Sequence, residues 1–151
     1  MAAATIERLT EFYGNIPARG TLPIGANTKV LKGTLVGINN LGFVYEVGKY
    51  DSLVKVLGKA SATFDNTGGD AGALNVEIEY GTFGWVNGTN DGNKLSISDI
   101  GKIVFALDNQ TVAKIGTLIA GVLVDVKYGL ARVWCGPFTP YEVMPVIPPG
   151  P

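Results

Sequence analysis

The clearest alternation of apolar and polar positions begins at residue 74. Apolar side chains occupy every second position there, at Leu74, Val76, Ile78 and Tyr80. A period of two predicts a β-strand with one buried face, because successive side chains of a strand point to opposite sides. The next large residues are Phe83 and Trp85, so the apolar positions change from even to odd numbers. We predict a tight turn or bulge at Gly81, since a one-residue slip moves every side chain to the other face.

Shorter apolar segments, separated by turn residues, continue on both sides of this strand. Residues 28–64 predict several short strands with a bulge at Gly58, and residues 102–107 predict a more fully buried strand. Residues 118–126 are apolar on both faces, which predicts a central strand covered on both sides, although a buried helix has the same pattern. Gly129 then predicts a hairpin turn. Roughly ten short strands without a long helix predict an all-β fold, a small β-barrel or sandwich of short antiparallel strands.

The N-terminal residues lack this strand pattern. Ile6, Leu9 and Tyr13 have the spacing of a short amphipathic helix that would end at Gly14. The prolines at positions 17 and 23 favour extended chain after it. We interpret the segment as an arm, and an ordinary first strand or a disordered leader fits the same residues equally well.

The C-terminal residues also differ from the strands. The final segment holds six of the eight prolines, which remove the backbone donors that a sheet ladder needs. We therefore predict an extended tail there. The predicted organisation is an N-terminal arm at residues 1–27, a β-barrel domain at residues 28–136 and a Pro-rich tail at residues 137–151.

Composition restricts the kinds of partner. Hydrophobic residues make up 46% of the 151 residues and charged residues only 17%, so we expect one domain with a sizeable core. The formal net charge of −1 lacks the basic character typical of proteins that bind nucleic acid or anionic membranes. The N-terminus has no signal-peptide pattern, and the longest apolar run, residues 118–124, is far shorter than the roughly 20 residues of a membrane-spanning helix. We expect a soluble protein made in the cytoplasm, with no nucleic-acid or membrane partner.

Residues that usually carry catalysis or bind metals are scarce. The chain has no histidine and one cysteine, Cys135, which excludes an intrachain disulfide and every Cys–His or Ser–His pair. Asn87, Thr89 and Asp91 are spaced like the start of a calcium loop, but the twelfth position of that loop is Ser98 and not an acid. We expect a buried Cys135, no metal or cofactor, and no enzymatic activity.

Two groups around Gly81 have alternative interpretations. Tyr80, Phe83 and Trp85 form a candidate platform for stacking a sugar, although packing in a core or an interface is the favoured interpretation. Glu77 and Glu79 lie on one face of the predicted strand. We expect that face to be exposed to solvent.

Five blocks of the sequence follow one another in a recognisable order. They are residues 30–36 with 42–44, 57–60 with 64–69, 76–83, 98–113, and 121–126 with 131–134. The most specific block is SDIGKIVFALDNQTVA at residues 98–113. Together the blocks, which span about residues 28–135, resemble the small capsid-decoration (cement) proteins of tailed bacteriophages.

This resemblance implies a non-enzymatic structural protein of a phage virion. Such a protein binds the outer surface of the assembled capsid and stabilises it against the internal pressure of packed DNA. The implied location is the capsid outer surface, after synthesis in the host cytoplasm. The implied partners are the major capsid protein and other copies of the chain, with a homotrimer favoured.

The two ends of the chain are the predicted points of attachment. We predict contacts with the capsid or a neighbouring protomer through large apolar side chains, namely Ile6, Leu9, Phe12, Tyr13, Ile16, Leu22, Ile24, Phe138 and Tyr141. Two other functions remain open. One is a structural domain of a phage tail, baseplate or fibre base, and the other is a carbohydrate-binding module that uses Tyr80, Phe83 or Trp85.

Overall fold

The computed structural model describes residues 2–10 and 18–137, which form an all-β structure. The predicted class is therefore confirmed. The regular elements in this part of the chain are eleven strands and one 3-10 turn, Ile97–Asp99. The strands are β1 (Ala18–Pro23), β2 (Thr28–Val30), β3 (Leu35–Ile38), β4 (Val44–Glu46), β5 (Lys55–Ala60), β6 (Phe64–Asn66), β7 (Asn75–Asn87), β8 (Ile103–Ala106), β9 (Thr111–Ala113), β10 (Ile119–Lys127) and β11 (Leu130–Cys135).

Strand β7 is the longest and lies at the centre of the fold. Its second half pairs with β11 on one side and with β9 on the other. From β9 the pairing continues through β8 and β10 and returns to β11. These five strands close into a barrel, which leaves no free sheet edge within the ring. The β7–β9 pair is parallel, whereas we predicted antiparallel strands throughout.

The first half of β7 lies outside the five-stranded ring and pairs with other strands. It pairs with β1 and β5, and β3 and β4 extend the sheet beyond β5. Two apolar cores result. The larger residues of the barrel core include Leu35, Phe83, Trp85, Leu95, Val104, Val112, Leu123 and Val133. The second core contains Ile24, Val30, Val36, Val44, Leu57, Val76 and Ile78.

The predicted change of buried face at Gly81 is confirmed. Val76 and Ile78 are buried in the second core, and Phe83 and Trp85 are buried in the barrel core. We predicted a tight turn or bulge there. The turn is wrong, because β7 runs through Gly81 without interruption, and the pairings of β7 with β1 and β11 show no register shift that would mark a bulge. The φ angle of Gly81 is 154°, a region that residues with a side chain rarely occupy. The two faces of one continuous strand therefore cover different cores, and Gly81 lies where the buried face changes.

Several local predictions also hold. The register between β3 and β5 shifts opposite Gly58, which confirms the bulge. Residues 119–127 form a strand and not a helix. Tyr128 and Gly129 have φ angles of 54° and 76°, as the central residues of a type I′ hairpin require. The outer face of β10 differs from prediction, since Val124 is exposed where we expected cover on both sides.

The N-terminal region divides into two parts. Residues 18–23 form β1, which pairs with β7 from Ala18 opposite Tyr80 to Pro23 opposite Asn75. The alternative interpretation as a first strand therefore describes these residues, and the sheet begins at Ala18 rather than at residue 28. Residues 2–10 contain no helix, and the remainder of the predicted helix lies outside the described residues.

Candidate interaction surface

Residues 2–10, the N-terminal segment, lie against the rest of the chain and are held by polar contacts. The backbone N–H of Ala4 donates to Oδ1 of Asn109 at 2.6 Å, and Nδ2 of Asn109 donates to the Ala4 carbonyl at 2.8 Å. One side-chain amide thus satisfies both backbone groups of Ala4, as a neighbouring strand would. Ala4 and Asn109 are both buried, so this pair fixes the start of the segment.

A buried carboxylate orients Asn109. Oε2 of Glu46 accepts a hydrogen bond from Nδ2 of Asn109 at 2.6 Å, and Oε1 accepts one from the Leu31 N–H at 2.7 Å. The Glu46 side chain has no exposed surface, and its charge is compensated by the Lys49 ammonium at 3.2 Å from Oε2. A buried charge persists only when it is paired and hydrogen-bonded. Glu46 therefore holds the Asn109 amide in the orientation that binds Ala4.

Arg8 anchors the middle of the segment. Its N–H donates to the Lys32 carbonyl at 3.0 Å, and its guanidinium carbon lies 5.2 Å from the centre of the Trp85 ring. Burial lowers the pKa of Arg8, and the charge of Asp108 opposes that effect. An arginine nevertheless stays charged in a protein, so this contact is a cation–π interaction at the wall of the barrel core.

Close backbone approach holds the end of the segment. The Thr10 hydroxyl donates to the Gly33 carbonyl, and Nζ of Lys59 donates to the Thr10 carbonyl at 3.3 Å. Gly33 has a φ of 82°, and a Cβ added there would lie 2.1 Å from the Arg8 carbonyl oxygen. Glycine at position 33 is therefore required for the segment to lie this close.

The acidic pair on β7 is only in part the solvated face that we predicted, since the Glu77 side chain is 41% exposed and Glu79 is not. Glu79 is buried, and its Oε2 lies 3.5 Å from Nζ of Lys59. Glu77 accepts a hydrogen bond from Arg19 at 2.9 Å. The partners belong to β1 and β5, which flank β7, so the acids connect three strands. Glu79 alone contacts Lys59, whose ammonium donates to the Thr10 carbonyl.

The same segment presents its two large apolar side chains to solvent. Ile6 is 77% exposed and Leu9 is 91% exposed, although the backbone between them is tethered at Arg8. A partner that buries these two side chains pays little ordering cost, because the backbone that carries them is already held in place. Ile6 and Leu9 therefore form the candidate interaction surface.

The other predicted contact residues have different positions. Ile24 is fully buried in the second core, and Leu22 packs half-buried against that core. Neither side chain is as open to a partner as Ile6 or Leu9. The remaining predicted contacts lie outside the described residues, at Phe12, Tyr13, Ile16, Phe138 and Tyr141.

Neither Asn109 nor Glu46 was predicted from the sequence to hold the N-terminal segment. Glu46 stands alone between Tyr45 and Val47 in an apolar strand, a pattern that indicates a buried charge but not its partner. Asn109 follows Asp108 in a predicted strand end, and its contact with Ala4 spans most of the chain. A contact between such distant residues has no local signal.

Within the described chain, the residues that we examined as candidates for catalysis, metal binding or sugar binding have structural roles. Burial raises the pKa of the Cys135 thiol to about 12, so the reactive thiolate is scarce at neutral pH. The Asn87 side chain bonds both backbone groups of Leu95, which explains it as a turn residue. Phe83 and Trp85 are fully buried and offer no surface to a sugar. No group of three or more potential metal-binding side chains occurs in residues 2–10 and 18–137.

Comparison with known proteins gives no relative for this chain. No known protein family, curated protein or solved structure matches it. In the part of the chain that the structure describes, no helix is long and apolar enough to cross a membrane. The function must therefore be inferred from the sequence blocks and from the surface formed by Ile6 and Leu9.

Proposed function

We propose that this chain is a non-enzymatic structural protein of a phage virion, which binds the outer surface of the assembled capsid and stabilises it against the pressure of packed DNA. The main support for the proposal is that Ile6 and Leu9 of the N-terminal segment are exposed on a backbone that is already held in place. The five sequence blocks supply the class of partner, the major capsid protein.

The geometry favours binding because the ordering cost is small. Burying a side chain such as Ile or Leu contributes about 1.5–3 kcal/mol. The tethers at Ala4 and Arg8 fix the backbone before any partner arrives, so little conformational freedom is lost on binding. Two anchors give modest affinity for one copy. Several copies on one lattice, or a homotrimer, would act together and raise the effective concentration of each contact.

Stabilisation of the shell follows from selective binding. A ligand that binds the assembled capsid, and not the separated subunits, shifts the equilibrium towards the assembled form by mass action. The chain needs no catalytic group for this role. A β-barrel with a contact segment held by hydrogen bonds supplies the required surface.

Of the two alternatives, the carbohydrate-binding module loses support. Two of its three aromatic residues, Phe83 and Trp85, are fully buried, and Tyr80 is half-buried. A tail, baseplate or fibre-base domain uses the same kind of fold, and only its location on the virion distinguishes it.

The proposal is tested by measuring whether the protein binds to separated phage heads or to separated tails. DNA-filled heads and tails of the source phage would be purified apart and incubated with labelled chain, and the particles would be imaged. We expect label on the outside of heads and none on tails. Label on tails alone would overturn the proposal in favour of the tail or baseplate function. Sedimentation of the free chain at micromolar concentration tests the homotrimer, and a monomer both free and on the shell would refute it.

A further inference from the structure

The outer face of the barrel carries a band of apolar side chains across three strands. Ile103 of β8 lies opposite Val122 of β10, which in turn lies opposite Trp134 of β11. Phe105 of β8 lies opposite Ile119 of β10 in the same way. Paired residues of antiparallel strands project from the same face of a sheet. These five residues form the outer band.

The outer band faces away from the barrel core. Its neighbours along the strands, Val104, Leu123 and Val133, fill the core instead. The five band residues are only partly covered, and Trp134 is 39% exposed. At one end the band stops at an ion pair between Asp125 and Arg132, whose charged groups are 3.5 Å apart. The part of β10 within the band, residues 119–122, is apolar on both faces, a pattern typical of a sheet that is covered on both sides.

The chain leaves β11 beside Trp134, at one edge of this band. Gly136 is buried and lies against the ring of Trp134, where an added Cβ would be 2.9 Å from Cη2. The described chain ends one residue later, at Pro137. The three strands span about 10 Å between β8 and β11. Ten extended residues reach about 30 Å, so residues 138–147 are long enough to cross the whole band.

The composition of residues 138–147 fits an apolar sheet face better than solvent. The segment includes large apolar residues and a single charged side chain, Glu142. Pro140 and Pro145 remove backbone donors, which disfavours a further strand in the ladder. A proline-containing segment instead binds by laying side chains on an apolar or aromatic surface, and it loses little entropy in doing so.

We propose that residues 138–147 cover the outer band of their own chain, with Phe138 and Tyr141 packed against Trp134 and Val122. This assigns both aromatic residues to their own sheet instead of to a capsid or a neighbouring protomer. The inference does not depend on the proposed function, because it concerns contacts within one free chain.

Trp134 is the natural probe of this contact. The other tryptophan, Trp85, is fully buried, so quenching of fluorescence by iodide reports on Trp134. In the full chain we expect the substitutions Phe138→Ser and Tyr141→Ser, made together, to raise the quenching constant about twofold, since two large rings no longer shield the indole. The matched control is Tyr128→Ser with Leu41→Ser, two exposed residues away from the band, and it should quench like the parent chain.

The possible results distinguish residues 138–147 of the same chain from a second copy of the chain as the segment that covers the outer band. Equal quenching of the parent and the Phe138/Tyr141 variant would overturn the proposal. The proposal would also be overturned if Trp134 lost its protection from iodide when the parent chain was diluted until it dissociated. A second copy of the chain would then cover the outer band. If the variant does not fold, nuclear Overhauser effects in the monomeric parent chain decide. Contacts from the Tyr141 ring to the Val122 methyls support the proposal, and their absence contradicts it.

Discussion

The barrel interior and the N-terminal segment orient their side chains in opposite ways. In the barrel, large apolar side chains such as Phe83, Trp85 and Val133 face inward and the backbone bonds to neighbouring strands. In the N-terminal segment, the backbone and polar groups face the barrel, while Ile6 and Leu9 face solvent.

This difference means that one region determines the stability of the fold and the other determines binding. Burial of apolar surface in the two cores is the main stabilising term of the fold. The hydrogen bonds of the N-terminal segment contribute only about 0.5–1.5 kcal/mol each, so their main effect is to position the segment. Substitutions in the barrel should therefore change stability, and substitutions at Ile6 and Leu9 should change binding alone.

The largest effect is expected from Phe83→Ala. Phe83 is fully buried in the barrel core, and loss of such a ring leaves a cavity that costs about 3–5 kcal/mol of unfolding free energy. Urea unfolding followed by circular dichroism measures this cost. Leu9→Ala removes a side chain that is also large and apolar, but it should match the parent chain. Equal losses for the two variants would contradict the contrast between the regions.

The next effect is expected from Asn109→Ala. The substitution removes both hydrogen bonds to Ala4 and the amide that bonds Oε2 of Glu46, so a buried carboxylate loses a donor. We expect a loss of about 1–3 kcal/mol and faster hydrogen exchange at the Arg8 amide. Asn75→Ala, at an exposed strand end, is the control and should change neither quantity. Unchanged exchange at Arg8 in the Asn109 variant would show that the segment is held by other contacts.

An effect of the same order is expected from Gly81→Val. The φ of 154° at Gly81 is unfavourable for a β-branched residue, with a cost of about 1–3 kcal/mol. Thr82→Val places the same side chain at the next position of β7 and should be close to neutral, because Thr82 has no such angle. A melting temperature unaffected by Gly81→Val would mean that the change of buried face does not need glycine.

The smallest effect on stability is expected from Ile6→Ser with Leu9→Ser. Both side chains are largely exposed, so the unfolding free energy should stay within about 0.5 kcal/mol of the parent value. Denaturant unfolding of the full chain checks this. A loss above that range would mean that Ile6 and Leu9 pack on their own chain and are not a free surface.

The features that the sequence predicted correctly are local. The alternation in β7 and its reversal at Gly81 depend on neighbouring residues, as do the bulge at Gly58 and the hairpin at Gly129. Each needs only the period of a strand or the freedom of a glycine. The change of face was visible, but the pattern could not tell a turn from a continuous strand, since both reverse the buried positions.

The features that the sequence missed depend on distant residues. The pairing of β7 with β11 closes the barrel, and the parallel pairing with β9 adds a connection that no local pattern predicts. Glu79 was expected in solvent because its partner Lys59 lies on another strand. Ile6 and Leu9 were predicted as contacts and are exposed, but the tether through Asn109 was not predicted.

We propose that Ile6 and Leu9 attach the protein to assembled heads, and the decisive measurement is the affinity of the variant that lacks both side chains. Binding of the parent chain and of Ile6→Ser with Leu9→Ser would be measured on DNA-filled heads. Leu41→Ser is the matched control, since Leu41 is 75% exposed at a turn outside the N-terminal segment. We predict that the double variant binds at least about tenfold more weakly, a loss of about 1.4 kcal/mol or more, while the control binds like the parent. Equal affinity of the parent and the double variant would contradict the claim.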